Sequence, residues 1–443
     1  MTVSVKGTLS VLGHWIGFCI LCNGFLAVKQ APWLLALFLP AFLALQVTVG
    51  RPFGDLPTRR LRIERHGTDC LTVFLWGTLI SLGVHGWLLS RLWPEKVWDV
   101  LLSAIWCVAA WSVVFWNGML SVGLTSSQLG LITRLAGFLF GGIPLVHLPI
   151  LGRILSLCRR EIAFESQKVR VNREREAQAV CRTRYPILLV HGVFFRDSKI
   201  LNYWGRIPDE LEKNGATVYY GEHPSAASVP DSAEELTRRI RWIVQESGCE
   251  KVNIIAHSKG GLDCRWAIAN GAAPYVASLT TVNTPHRGCL YAEHLLKNIP
   301  EKAQQKIARA YNAAAKRLGD RNPDFMAAVW DLTAKVCTER DEKLRLPEGI
   351  YGRSVGSVLA KSRSGKFPLN VAYPVVKHFD GPNDGLVAVT SFSWGEDFTC
   401  VKPTGKRGIS HGDMVDMNRE NIPGFDVREF YVNLVQDLKR RGL

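Results

Sequence analysis

Apolar residues are distributed along this chain in two different ways. Up to about residue 157 they come in long uncharged blocks. Gly7–Val28, Ala31–Gly50, Leu71–Ser90 and Val100–Thr133 contain no Asp, Glu, Lys or Arg and are dense in Leu, Trp, Phe and Val. A helix needs about 20 apolar residues to cross ~30 Å of hydrocarbon, and all four blocks reach that length. Soluble core helices rarely run so long with apolar residues on every face. The pattern predicts four transmembrane helices near residues 9–28, 31–49, 71–91 and 98–120. A cleaved signal peptide fits the first block poorly, because the block is long, only Lys6 precedes it and further blocks follow. From Ser121 to Leu157 the chain stays apolar but is broken by Arg134, Gly141, Gly142, Pro144 and Pro149. Those breakers favour an interfacial or re-entrant segment over a fifth span through Leu135–Leu151.

Beyond residue 185 the pattern changes to short buried runs punctuated by glycine and proline. Tyr185–Val193 reads as a buried strand ending in His-Gly, and Val252–His257 as another that stops at His-Ser-Lys-Gly-Gly. A helix-like stretch, Leu262–Asn270, follows, so Ser258 sits at the apex of a strand–turn–helix. A nucleophile elbow needs this arrangement, with small residues two positions before and after the serine; Ala256 and Gly260 occupy those positions. The apolar run Val371–Val376 is expected to be a strand, which places Asp384 on the loop beyond it. His411 falls on a late loop before a terminal helical stretch. Ile299–Leu318 and Asp324–Leu346 read as helices of a cap or lid insertion, 297–365. Ser232-x-x-Glu235 reads as a capping box that opens a helix with Leu236, Ile240, Ile243 and Val244 inward.

A serine hydroxyl is a poor nucleophile at neutral pH and needs a neutral imidazole within reach. The imidazole in turn needs a carboxylate to hold its tautomer and stabilise the imidazolium. Ser258, Asp384 and His411 occur in the chain order of α/β-hydrolases, unlike that of chymotrypsin or subtilisin. Asp380, Asp413 and Asp416 are rival carboxylates by proximity.

These motifs resemble those of the bacterial true lipases, of both the Pseudomonas/Burkholderia and the Staphylococcus/Geobacillus kinds. The resemblance runs through Tyr185-Pro186-Ile187, Val190-His191-Gly192, Tyr203-Trp204-Gly205 and Ala256-His257-Ser258. It continues in Thr284-Pro285-His286-Arg287-Gly288, Asn383-Asp384-Gly385-Leu386-Val387 and Phe425-Asp426-Val427-Arg428. It covers roughly residues 183–443 and implies an α/β-hydrolase fold: a mostly parallel sheet, helices on both faces and a helical cap. It implies Ser258 as nucleophile, His411 as general base and acid, and Asp384 as the residue orienting His411. Main-chain N–H groups of Val193 and Lys259 are then the oxyanion donors. In position Asp413 and Asn418 match ligands of a calcium ion in such lipases, although two side chains fall well short of the six to eight oxygens calcium takes. No cofactor is required, and a zinc site is not expected because Gly221–Ser228 is short and His223 is its sole histidine.

The implied reaction is hydrolysis of carboxylic esters of lipids through an acyl-enzyme, as in a triacylglycerol lipase. A phospholipase or lipid acyltransferase would use the same triad, and a catalytically silent membrane scaffold would have no need of it. The net charge is +15. Its basic residues are spread or juxtamembrane and accompany no recognition motif, which argues against nucleic acid as a partner and for the bilayer. Arg51, Arg59, Arg60, Arg62 and Arg65 precede the third block, and Arg153, Arg159, Arg160, Lys168, Arg170, Arg173 and Arg175 follow the last. The positive-inside rule puts both clusters, and the catalytic domain, on the cytoplasmic side if an even number of spans separates them. Eleven cysteines without a paired framework suit a reducing compartment. The expected organisation is thus a multi-pass all-α transmembrane domain over 1–158, a basic helical linker over 159–184 and the catalytic domain over 185–443.

Overall fold

The computed structural model describes residues 5–50, 56–193, 202–317, 319–320, 322–402 and 405–443. The chain divides into two units, Met1–Arg173 and Glu174–Leu443.

The first unit is helical. It contains α1 (Val5–Cys22), α2 (Phe25–Gln30), α3 (Leu35–Thr48), α4 (Arg59–Leu92), α5 (Val97–Thr125), α6 (Leu131–Phe140) and α7 (His147–Arg175), whose last residues pass into the second unit. Among the described residues α4 and α5 are long and apolar enough to cross a membrane. The first two expected spans are shorter. Segment 9–28 breaks at Asn23 and Gly24 into α1 and α2, and segment 31–49 opens with a 3-10 turn, Pro32–Leu34, that leaves the 14-residue α3. At ~1.5 Å per residue α3 reaches only ~21 Å. An apolar count does not register a glycine or a proline without its N–H. The ten-residue α6 is shorter still and ends in turns before α7. The expected linker over 159–184 is not separate, because residues 159–175 are the second half of the continuous α7.

Helices α4 and α5 run antiparallel and pack through glycine. A Cβ on Gly77 would lie 2.0 Å from the Trp111 ring, and one on Gly67 2.8 Å from the Gly118 carbonyl oxygen. The Trp111 indole N–H donates to Ser81 Oγ at 2.9 Å. Several polar groups inside the unit are paired side chain to side chain. His147 meets Thr78 at 3.1 Å, His85 meets Ser103 at 3.2 Å, and the Glu161 carboxylate accepts from Ser126, Ser127 and Arg60. Trp76, Ile80, Ile105 and Val108 point outward and are exposed.

Among the described residues the second unit is built on six parallel strands in the order β2-β1-β3-β4-β5-β6. They are β1 (Ile187–Val190), β2 (Val218–Tyr220), β3 (Val252–His257), β4 (Val276–Val282), β5 (Tyr351–Ser357) and β6 (Asp397–Val401). Strands β1, β3 and β4 are buried along their whole length, as parallel strands covered on both faces must be. Side chains alternate between the two faces. Ile187, Leu189 and Ile255 join Trp204, Tyr431 and Val435 on one side; Leu188, Val190 and Ile254 join Leu236, Ile240 and Cys264 on the other. The first layer is closed by α8 (Ile207–Lys213) and α16 (Val427–Arg440), the second by α9 (Val229–Ser247) and α10 (Lys259–Ala267). This is the α/β architecture expected, a parallel sheet clad by helices.

Three local expectations differ. Val371–Val376 lies in α15 (Leu369–Asp380), a helix between β5 and β6. A short apolar run is compatible with either element, and Tyr373 and Val376 bury one side while Val371 and Val375 stay out. Between β4 and β5 stand α11 (Leu290–Asn298), α12 (Glu301–Arg317), α13 (Phe325–Trp330) and α14 (Ala334–Asp341), but β5 itself lies inside 297–365 and belongs to the sheet. Helix α9 starts earlier than its expected capping box. Ser228 is the N-cap and accepts the Asp231 N–H, with proline in the first turn, while Ser232 is buried within the helix.

Candidate active site

The sheet order places the C-terminal ends of β1 and β3 side by side at the point where the chain turns from one direction of winding to the other. In open α/β sheets ligands bind at such a switch point. Ser258 stands there, between β3 and α10, with φ 57° and ψ −133°. A non-glycine residue held at positive φ stores strain of order 1–3 kcal/mol, and such strain gathers at working sites. The surroundings require small neighbours. A Cβ at Gly260 would lie 2.3 Å from the His191 carbonyl oxygen, and one at Gly192 2.7 Å from Ser258 Cβ.

His411 and Asp384 meet although 27 residues apart: His411 Nδ1 donates to Asp384 Oδ2 at 2.6 Å, and the His411 main-chain N–H to the Asp384 carbonyl at 2.9 Å. Asp384 is fully buried. Its Oδ1 accepts the Leu386 and Val387 N–H groups at 2.9 and 2.8 Å. Its Oδ2 also accepts the Asn283 amide at 2.5 Å, and that amide donates again to Ser357 Oγ at 2.7 Å. Asn283 directly follows β4 and was not singled out from the sequence. The available signal was its place immediately before Thr284-Pro285-His286, at the end of the strand beside the serine strand.

His257, next to the serine, is fully buried and stacks at a tilt on His411, ring centroids 4.4 Å apart. Burial, helped by the neighbouring His411, holds its imidazole neutral, well below the usual histidine range. The Tyr203 hydroxyl donates to His257 Nδ1 at 2.6 Å and accepts the Gly192 N–H at 3.2 Å. One phenol therefore ties the loop after β1 to the turn after β3.

A model of the alpha/beta hydrolase fold matches residues 185–362. The triacylglycerol lipase of Vibrio cholerae is 30% identical over 243 residues, covering 49% of this chain and 77% of that protein. This chain belongs to the lipase family of α/β-hydrolases. A triacylglycerol lipase of Pseudarthrobacter phenanthrenivorans is 34% identical over 169 residues, covering 35% of this chain. The chain spans only 53% of that relative's length. Among solved structures, the mature Bacillus licheniformis lipase BlEst2 is similar at 23% identity over 57% of this chain and 91% of that one, with a TM-score of 0.42.

The lipase-family unit gives each rival carboxylate a partner of its own. Asp380 accepts the first N–H groups of α11, from Leu290 and Tyr291, at 2.9 and 3.0 Å. Asp416 takes both the side chain and the main-chain N–H of Arg206. Asp413 is held by Arg407 at 2.7 and 3.2 Å and accepts the Ser410 N–H at 2.8 Å; Arg407 also reaches Glu420 at 3.1 Å. This set does not fit calcium. A guanidinium already fills both Asp413 oxygens, Asn418 is exposed, and among the described residues no group of three His, Cys, Asp or Glu side chains is placed to hold a metal ion.

Of the two residues expected to supply oxyanion donors, Val193 is buried at the end of the described β1 loop, and residues 194–201 lie outside the described residues. Lys259 opens α10, where main-chain N–H groups have no acceptor within the helix. Its side chain points away from reaction chemistry into a buried network. The ammonium donates to Asp263 Oδ1 at 2.7 Å and to Ser232 Oγ at 3.0 Å. Asp263 Oδ2 lies 3.4 Å from His223 Nε2, and His223 stacks on His191 at 4.1 Å. Burial pushes the Asp263 carboxyl up to about 6 against the pull of Lys259, and holds His191 down to about 3.

Proposed function

We propose that this protein hydrolyses carboxylic esters of lipids with Ser258, His411 and Asp384. The supporting observation is the strained Ser258 at the β3–α10 turn together with the buried His411–Asp384 pair. With Nδ1–H donated to Asp384, His411 Nε2 is the free base that takes the Ser258 proton as Oγ bonds to the ester carbonyl carbon. The carbonyl oxygen becomes an oxyanion facing the Val193 and Lys259 N–H groups. Collapse expels the alcohol, which receives the proton from His411 and leaves an acyl-enzyme. Water, deprotonated by His411, then adds to the acyl carbon and releases the fatty acid and Ser258. The triacylglycerol lipase relatives support lipid esters as the substrate class.

In this reading α4 and α5 cross the bilayer. Their outward residues are large and apolar, and Trp87, Trp93 and Trp98 are exposed where the two helices join, as in an aromatic belt at one interface. Two spans are an even number, as four would be, so the basic residues of early α4 and of α7 share the cytoplasmic side, and the hydrolase unit follows them there. Reporter fusions after Arg160 and Leu443 test the orientation; external activity at Leu443 would reverse it. The chemistry is tested by labelling the detergent-solubilised protein with a fluorophosphonate. Labelling that disappears in Ser258→Ala is expected, and equal labelling of that variant would sink the proposal.

A further inference from the structure

Helix α15 begins against the reacting residues. Leu369 packs beside Gly385 and Gly412, the glycines that follow Asp384 and His411. Its inner side is settled by Tyr373 and Val376, both buried, and its C-terminal Asp380 caps α11. The outer side is apolar yet open: Phe367, just before the helix, is 83% exposed, Val371 60%, Val375 40%, and Leu290 on the adjoining α11 52%. Scattered exposed apolar residues are ordinary, but a contiguous set beside a site marks a contact surface. What surrounds this set identifies the contact. Arg363, Lys366 and Lys377 are exposed on the same segment; the one carboxylate between residues 361 and 380 is Asp380, already engaged as a cap, and the Glu420 carboxylate, 3.2 Å from the Lys366 ammonium, is shared with Arg407. A short amphipathic helix with cations beside its apolar face is the form that lies in the head-group plane of an anionic bilayer.

We propose that α15 and Phe367 seat the hydrolase unit on an anionic lipid surface. The apolar face enters the acyl boundary, the cations meet lipid phosphates, and the ester is delivered to loops that the same helix touches. Each cation near such a surface adds about fivefold to partitioning, so the three together make lipid charge the deciding variable. The inference deepens the lipid-ester reading and rests on it for what is delivered, while the seating itself is measured separately.

The test places a photo-crosslinking p-benzoylphenylalanine at Phe367 in the full-length protein. It is reconstituted in vesicles of phosphatidylcholine, or of equal parts phosphatidylcholine and phosphatidylglycerol. Lipid adducts should form at 367 several-fold more in the phosphatidylglycerol vesicles, and should fall to the phosphatidylcholine level in R363Q/K366Q/K377Q. The same probe at Trp242, exposed on α9, should give none. Turnover of a soluble short-chain ester shows that each variant is folded, and its absence in the parent protein would count against the hydrolase reading alone. Absence of lipid adducts at 367, equal adducts in both vesicles, adducts undiminished in the charge variant, or crosslinks to a second copy of the chain would each overturn the seating.

Discussion

Asp384 and Asp263 are both buried carboxylates close behind Ser258, and they are held in opposite ways. Asp384 is surrounded by neutral dipoles: the Leu386 and Val387 N–H groups, the Asn283 amide and the His411 ring. Asp263 relies on one cation, Lys259, with His223 at a longer distance. Fixed N–H donors solvate an anion wherever the neighbouring ring is in its proton cycle. A lone ammonium does so only while both charges persist. In the proposed mechanism that difference suits Asp384 to steady a histidine that changes charge each turnover, and it leaves Asp263 sensitive to pH.

The largest loss is expected from Asp384→Asn. The amide keeps the shape but presents N–H to a pocket built of donors and turns the His411 tautomer. Turnover should fall by something like ~10⁴-fold, read as kcat on a soluble ester. Near-full activity in Asp384→Asn, with loss in Asp380→Asn or Asp413→Asn, would show that the carboxylate has been misassigned.

On the other side, Lys259→Met removes the one cation from Asp263 while keeping the main-chain N–H. Stripping one partner from a buried pair costs about 3–5 kcal/mol, seen as a lowered unfolding temperature at neutral pH. Asp263 is raised above its unfolded value, so the folded state holds its proton more readily. The stability this gives is fully present below the ordinary carboxylate range and is lost as pH rises through about 6. The variant's deficit should therefore shrink as pH is lowered toward 5. A deficit independent of pH would mean that Asp263 is not the group responding.

Asn283→Ala deletes one of the four N–H donors to Asp384. Hydrogen bonds to charged groups are worth about 1.5–3 kcal/mol, so kcat should drop roughly 10- to 100-fold with KM little changed. A change confined to KM would place Asn283 with the substrate instead. The smallest expected effect concerns the loop of His411. Arg407→Ala frees the Asp413 carboxylate beside the His411 loop and should lower kcat by about tenfold, a loss of order 1.4 kcal/mol, whereas a chelator should leave the parent protein unaffected. Activity lost on chelation and restored by calcium would overturn the reading of Arg407 as the loop's clasp.

What was legible from the sequence was whatever depends on neighbours along the chain. Strand β3, its turn and α10 are one continuous signal, and the Asn-Asp-Gly and Ser-His-Gly loops are local motifs. Asn283 was not legible, because its task depends on Asp384 arriving from 101 residues away. The cladding of α15 was misread because six apolar and aromatic residues fit a strand until their inner and outer partners are known. Ser232 took the capping role in the expected helix since its spacing to Glu235 fits; Ser228 has the same spacing to Asp231, with Pro230 marking the true first turn. In the first unit the apolar count found where helices lie but not their breaks at Gly24 and Pro32.

The glycine seam between α4 and α5 bears on the order in which the protein is made. Those helices are joined by residues 93–96 and pair with their nearest neighbour in sequence, so their contacts close over short loops and can form fast. The hydrolase sheet has the reverse character. Its β5 and β6 wait for the chain to reach residue 401, and His411 comes later still. Because domains form as units from the N-terminus during synthesis, the helical hairpin is complete while the catalytic sheet still lacks its last strand. On the proposed reading, the nascent chain would thus hold its membrane hairpin well before Ser258 has a base to act with.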